Sequence, residues 1–235
     1  MKLLVLLDFD GVIFNSAYEA YQVCQEVAKT KPGFRRSVNF DEFMDFRRYV
    51  TNAWQFNRLY SKECFLKDFS KLPVINYEQA DLDFAELFFK SRKYLMEDKD
   101  WVKLMSPYPF FHELKKLILT APQVFKILST RDEISIKRTL EFYSLGDIQI
   151  YGQESLIKYG SKHAVATSNK WLEDYYYTVY VDDMNSHLEP FQGDVDLCVH
   201  AGWGYDFSNY ESYTETQALN MITGLVKLSG EIKND

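Results

Sequence analysis

The sequence predicts an α/β protein, a Rossmann-like parallel-sheet core carrying an inserted all-helical cap. Three observations lead there. Five consecutive apolar residues, Leu3 to Leu7, have the make-up of a central strand buried on both faces. Four later runs of strand composition alternate with segments of helical periodicity, the pattern of βαβ units. Between the first run and the second, residues 15 to 103 show helical spacing and no convincing strand.

In chain order, the first run is too short for a signal-peptide core or a membrane span, and charge follows it at once. Ser16 and Glu19 then have the spacing of an S-x-x-E capping box, with Phe14, Tyr18, Tyr21, Val27 and Ala28 repeating at helical intervals behind them. The chain returns to the core through SPYPFFHELKKL, residues 106 to 117, where two prolines precede a helix over Phe110 to Leu119 with Leu114 and Leu117 on its apolar face. Strands follow at Val124 to Leu128, Ile148 to Tyr151, Thr178 to Val181 and Val195 to Val199, separated by helices over Glu133 to Tyr143 and Lys162 to Tyr175. Leu219, Ile222 and Val226 mark a last helix, started by the T-x-x-Q box of Thr214 and Gln217. The expected division is a core of residues 1–14 and 105–235 and a cap of 15–104.

Composition excludes several classes. A hydrophobic content of 46% suffices for a real core, and a formal net charge of −7 without a long basic run argues against a nucleic-acid binder. Cys24, Cys64 and Cys198 are odd in number and widely spaced, which suggests buried thiols in place of a disulfide framework or zinc site. A cytoplasmic protein with no membrane association is expected.

Open parallel sheets bind ligands beyond the carboxyl ends of their strands. The polar residues there are Asp8 and Asp10 after the first strand, Ser129 and Thr130 after the second, and Asp182 and Asp183 after the fourth. In an extended segment residues i and i+2 point the same way, so Asp8 and Asp10 face together while Phe9 turns aside and Gly11 allows a sharp turn. Four gathered carboxylates repel, at about 4 kcal/mol per close pair at 4 Å and an effective dielectric near 20. Magnesium suits such an all-oxygen site, with an anionic phosphate as a further partner.

The conjunction of LLVLLDFDGV, ILST at 127 to 130, KYGSKHAV at 158 to 165 and VYVDD at 179 to 183 resembles the motifs of the haloacid dehalogenase-like superfamily, in its branch with a helical cap after the first motif. The resemblance covers residues 1 to 14 and about 105 to 207. It implies a magnesium-dependent phosphatase acting on a small phosphorylated metabolite, with Asp8 as nucleophile, Asp10 as proton donor and later base, Ser129 on a phosphoryl oxygen and Lys162 neutralising the phosphoryl group. Magnesium would be held by Asp8, the Asp10 backbone carbonyl and Asp183, with Asp182 acting mainly through water or the neighbours of the ligands. An acid at position 10 separates phosphatases and phosphomutases from the dehalogenase and phosphonate-cleaving members, and leaves phosphatase and mutase open.

Other residues are weaker candidates. Lys158 competes with Lys162, which Gly160 and Ser161 place at the start of a helix. Thr130 and Arg131 follow Ser129 and are candidates to touch phosphate, and Arg131 reads equally as a salt-bridging residue at a helix start. In FRRYVTNAWQFNRLY, residues 46 to 60, Arg47 and Arg58 lie three helical turns apart and would share one face of a continuous helix; the stretch reads either as a solvated helix face with a buried aromatic stripe or as a grip on a second anionic group, with Trp54 stacked on a ring. His112, His163, His187 and His200 lack metal-ligand spacing and read as surface or capping residues. GWGYDF, residues 202 to 207, offers tight turns near the site. A non-catalytic binding module that keeps the fold is the alternative of a different class.

Overall fold

In a computed structural model the structure describes residues 2–30, 33–35, 37–63, 65–72, 77–205 and 211–230. Cys64 and the last two residues of GWGYDF lie outside the described residues. The chain divides into two compact units, residues 1–15 with 107–235, and residues 16–106.

The strands are β1 (Leu3–Leu7), β2 (Phe14–Asn15), β3 (Ser106–Pro107), β4 (Phe125–Leu128), β5 (Gln149–Tyr151), β6 (Tyr177–Asp182) and β7 (Leu197–His200). Five of them form one sheet in the order β5-β4-β1-β6-β7, and β2 and β3 form a separate two-stranded sheet. Every pairing in the larger sheet is parallel. The apolar run therefore lies at the centre, with Leu7 opposite Ile127 on one side and Val181 on the other. All five β1 residues are buried, as a strand covered on both faces requires. This order brings the carboxyl ends of β1, β4 and β6 side by side, although their residues lie far apart in sequence.

Among the described residues the helices are numbered α1 to α4 in the unit of residues 16–106 and α5 to α11 in the other. The first four are α1 (Ala17–Thr30), α2 (Phe40–Arg47), α3 (Asn57–Tyr60) and α4 (Gln79–Leu95). The core set is α5 (Phe111–Thr120), α6 (Glu133–Phe142), α7 (Gln153–Tyr159), α8 (Lys162–Ser168), α9 (Trp171–Asp174), α10 (Asn185–Leu188) and α11 (Glu215–Ser229). Thr214 and Gln217 make both halves of the expected capping box on α11.

The single helix expected over 162 to 175 is broken into α8 and α9. Asn169 Nδ2 bonds back to the Val165 carbonyl at 2.8 Å, and Lys170 takes a left-handed φ of 57°. That kink lets Trp171 pack with Leu4, Leu6, Leu128 and Tyr180 against one face of the sheet.

The helical unit has its own core, built around Val23, Val27, Phe43, Phe46, Phe56, Phe84 and Phe88. Glu19 turns inward to Arg92, 73 residues away, at 2.9 and 3.0 Å, and the Trp101 indole donates to it at 3.3 Å. The continuous helix expected to align Arg47 with Arg58 does not form. Gln55 Oε1 accepts from the amides of Thr51 and Asn52 at 2.7 and 2.8 Å, which closes a turn between α2 and a short 3-10 segment at Ala53–Phe56. Among the described residues no helix is long and apolar enough to cross a membrane.

Candidate active site

The DFDG turn is built by its backbone. Phe9 O accepts from the amides of Ile13 and Phe14, both at 3.0 Å, and the Gly11 amide donates to Phe14 O at 2.9 Å. Phe9 is fully buried and stacks on Phe14 with ring centroids 4.9 Å apart, so the intervening residue does point into the fold. Gly11 has a φ of +83°, and a Cβ there would fall 2.2 Å from an Asp183 carboxylate oxygen. Glycine is required twice over at that position.

Asp8 leaves the end of β1 with its amide bonded to Val181 O at 2.9 Å and its side chain buried. Lys162, the first residue of α8, places Nζ 3.1 Å from Asp8 Oδ1 and 2.6 Å from Asp182 Oδ2. Ser161 sets that helix start by accepting from the Ala164 amide at 3.1 Å. Lys158 instead lies on α7 with its ammonium over the Tyr159 ring at 4.6 Å. The structure brings Lys162, and not Lys158, to Asp8.

Asp182 is the hub of this corner. Besides Lys162 it accepts from the Tyr180 hydroxyl, from the Met184 amide at 2.9 Å and faces His187 Nδ1 at 3.2 Å. Burial alone would raise its carboxyl, but Lys162 and His187 outweigh that and hold Asp182 below the usual carboxylate range. For Asp8 burial wins: desolvation raises its carboxyl, Lys162 pulls the other way, and Asp182 adds to the rise. Burial would lower the Lys162 ammonium, and the two aspartates more than compensate, so it stays charged.

Asp183 is buried between two glycines. A Cβ on Gly204 would lie 2.2 Å from Asp183 Cβ, as one on Gly11 would meet its carboxylate, and the Tyr205 amide donates to Asp183 Oδ2 at 2.7 Å. Trp203 Nε1 donates to Val12 O at 3.0 Å, and Tyr205 OH contacts Asn15 Oδ1 at 3.1 Å. The segment after β7 thus fastens the turn that carries Asp8 and Asp10. His200 is buried, not a surface residue, and its Nε2 contacts Asp183 O at 3.0 Å.

Ser129 is buried at the end of β4, and Thr130 beside it is half-buried. Of the two readings of Arg131, the structure shows the salt-bridging one: its side chain is 1% exposed and its Nη1 lies 3.0 Å from Asp10 Oδ1. The arginines of the helical unit also have partners there. Arg58 pairs with buried Asp81 at 2.5 Å, and Arg47 donates to Val50 O at 2.8 Å. Trp54 is buried, with Tyr77 edge-on at 5.8 Å. These contacts accord with the reading of this stretch as packing inside the unit.

Among the described residues Asp8, Asp10, Asp182 and Asp183 gather beside Lys162, Arg131 and His187. Ligand atoms of Asp8, Asp182 and His187 lie within 4.8 Å of one another, but the Lys162 ammonium already sits 2.6 Å from Asp182. Asp182 anchors the lysine, an arrangement consistent with the expectation that it acts through the neighbours of a metal's ligands. The buried oxygens of Asp8 and Asp183 fit a hard divalent cation, with the side chain of residue 11 removed to let Asp183 approach.

No family model matches the sequence, and no curated protein does. Solved structures do match in fold. A protein provisionally named a phosphoglycolate phosphatase, from Lactobacillus delbrueckii subsp. bulgaricus, aligns with a TM-score of 0.65 and 13% identity over 94% of this chain and 99% of that one. A haloacid dehalogenase-like family hydrolase from Streptococcus pneumoniae gives 0.60 and 12% over 94% and 98%. CbbY from Rhodobacter sphaeroides, in complex with xylulose-1,5-bisphosphate, gives 0.59 and 13% over 90% and 93%.

Proposed function

We propose that this chain, which shares the fold of the haloacid dehalogenase-like hydrolases, is a magnesium-dependent phosphatase of a small phosphorylated metabolite. The observation that carries the reading is the convergence at Asp8: a buried carboxylate at the end of the central strand, with Lys162 at 3.1 Å and the Asp183 carboxylate packed against its own turn. Phosphate monoesters hydrolyse so slowly that accelerations up to ~10²¹-fold are needed, and general acid–base help supplies only about 10² to 10⁴. A covalent route with charge stabilisation is therefore required.

Asp8 Oδ attacks phosphorus as the P–O bond to the leaving group breaks. The leaving oxygen takes that bond's electron pair and a proton from Asp10, giving an aspartyl-phosphate on Asp8. Water then attacks phosphorus, Asp10 accepts its proton, and the Asp8–phosphorus bond opens to release phosphate. Lys162 balances phosphoryl charge and fixes the orientation of Asp8, while Ser129 donates to a phosphoryl oxygen. Asp8, the Asp10 carbonyl and Asp183 would hold a magnesium ion, which would supply positive charge for the phosphoryl group and offset the repulsion among the carboxylates.

The test is phosphate release from a panel of phosphorylated metabolites, with magnesium or EDTA, by the native chain and Asp8→Asn. Metal-dependent turnover lost in Asp8→Asn is the expected result. A folded, magnesium-binding native chain that releases no phosphate from any of the panel would overturn the reading.

A further inference from the structure

We propose that Arg131 is a positioning residue for Asp10: it fixes that carboxylate in the orientation from which it serves the leaving group. The proposal rests on the phosphatase reading and adds to it a residue 121 positions away from the one it orients.

Arg131 is held on several sides. Nη1 donates to Asp10 Oδ1 at 3.0 Å, and Nε donates to Ser135 Oγ at 2.8 Å. Ser135 is fixed in turn, its hydroxyl lying 2.9 Å from Asp132 Oδ2 and 3.0 Å from Asp132 O. The guanidinium carbon stands 5.6 Å from the centre of the buried Phe9 ring, between the two aspartates in sequence. The backbone is equally constrained: Arg131 O accepts from the Gln153 amide at 2.9 Å, and a Cβ on Gly152 would come within 2.5 Å of that oxygen.

Exposure decides between roles. Asp10 keeps 17% of its side chain exposed and Arg131 only 1%, so the carboxylate faces outward and the guanidinium lies behind it. Arg131 is thus placed to act through Asp10 and not on a ligand. Its grip on one carboxylate oxygen restrains rotation of the side chain and so sets the direction of the other. The Arg131 amide also donates to Ser129 Oγ at 3.3 Å, which ties the orientation of the Asp10 partner to that of the expected phosphate donor. A lysine has a single nitrogen and would not span Ser135 and Asp10 together.

The experiment compares kcat/KM on glycerol 2-phosphate, whose alkoxide needs a proton, and on p-nitrophenyl phosphate, whose phenolate does not. This ratio covers steps up to leaving-group departure. Arg131→Met should lower it about 100-fold on the alkyl ester and less than about 5-fold on the aryl ester, the range of lost general-acid help. Arg131→Lys should recover part of the loss. In an Asp10→Asn background Arg131→Met should add almost nothing, because the residue it orients is gone. Equal losses on both esters, multiplying losses in the double variant, or a raised KM at unchanged kcat would overturn the proposal. Urea midpoints of the two single variants and the double variant give a readout free of turnover. Non-additive midpoints are expected, and additive ones would deny the pairing itself. A native chain inert on both esters and on the whole metabolite panel but coupled in urea would defeat the phosphatase reading and the catalytic role with it, while leaving the ion pair standing.

Discussion

Both units of the molecule bury charge, and they balance it in opposite ways. In the helical unit buried Glu19 meets Arg92 through two hydrogen bonds, and buried Asp81 meets Arg58 and Asn57. Each acid there has its own cation. At the carboxyl ends of the central strands the four aspartates crowd together and share, among the described residues, Lys162, Arg131 and His187, and burial lifts the carboxyl of Asp8. Balanced buried pairs serve the fold, whereas an unbalanced cluster is a place where the fold tolerates cost because a ligand or ion completes it.

Asp8→Asn breaks the comparison most sharply. Turnover should fall by at least ~10⁴-fold, the scale of losing a covalent nucleophile. Stability should move the other way: in EDTA the variant should melt no lower than the native chain, because a carboxylate disfavoured by burial is gone and Lys162 keeps Asp182. Phosphate release and melting curves check the two halves. In the helical unit the same neutralisation has the reverse sign. Glu19→Gln leaves the Arg92 guanidinium buried without its counter-charge and should cost about 3 kcal/mol in urea unfolding. If Glu19→Gln proved neutral and Asp8→Asn strongly destabilising, the contrast between the units would be wrong.

The pH dependence of the metal-free protein sharpens the contrast within the sheet unit alone. Asp8 is raised by burial, so the stability linked to its protonated form is lost as pH rises through that raised value. Asp182 is held low by Lys162 and His187 against its burial, so its contribution is present above the ordinary carboxylate range and is lost as pH falls toward its depressed value. Urea midpoints of EDTA-treated protein should therefore decline on both sides of an acidic maximum, measured from about pH 3 to 7. Asp8→Asn should remove the decline on the alkaline side and leave the acid limb.

How much of this was legible before the structure depended on the range of the information needed. The strand Leu3–Leu7, the inward turn of Phe9 and the turn at Gly11 follow from a dozen consecutive residues. Choosing between Lys158 and Lys162 needed only the helix start, which Ser161 supplies locally. The partners of Asp10 and Asp182 needed the strand order and the path of the chain after β4 and β6. His187 reads as a surface or capping residue, and Arg131 as a phosphate contact or an ion-pair residue of unknown partner, until the sheet brings both to the aspartates. The same holds for Glu19, which reads as a capping residue in sequence and pairs across 73 positions in the fold. Local signals place chemistry at strand ends, and only topology says which side chains share it.

Tyr180 gives the finest test of that last point. It alternates with Asp182 along β6, so both side chains leave the same face of the strand, and its hydroxyl donates to Asp182 Oδ2. Burial and the neighbouring aspartates push its phenol far above the usual range, which keeps it a donor at every working pH. Tyr180→Phe keeps the ring that packs on Phe191 with centroids 4.4 Å apart and removes only the donor. Asp182 would still hold Lys162, His187 and the Met184 amide, so no buried acceptor is stranded. The cost should be about 1 kcal/mol in unfolding free energy, with turnover within about 5-fold of native. Lys162→Met removes the counter-charge from Asp8 and Asp182 together and should exceed that cost several-fold. Equal effects of the two variants would mean that Asp182 is held by hydrogen bonding in general and not by the lysine's charge.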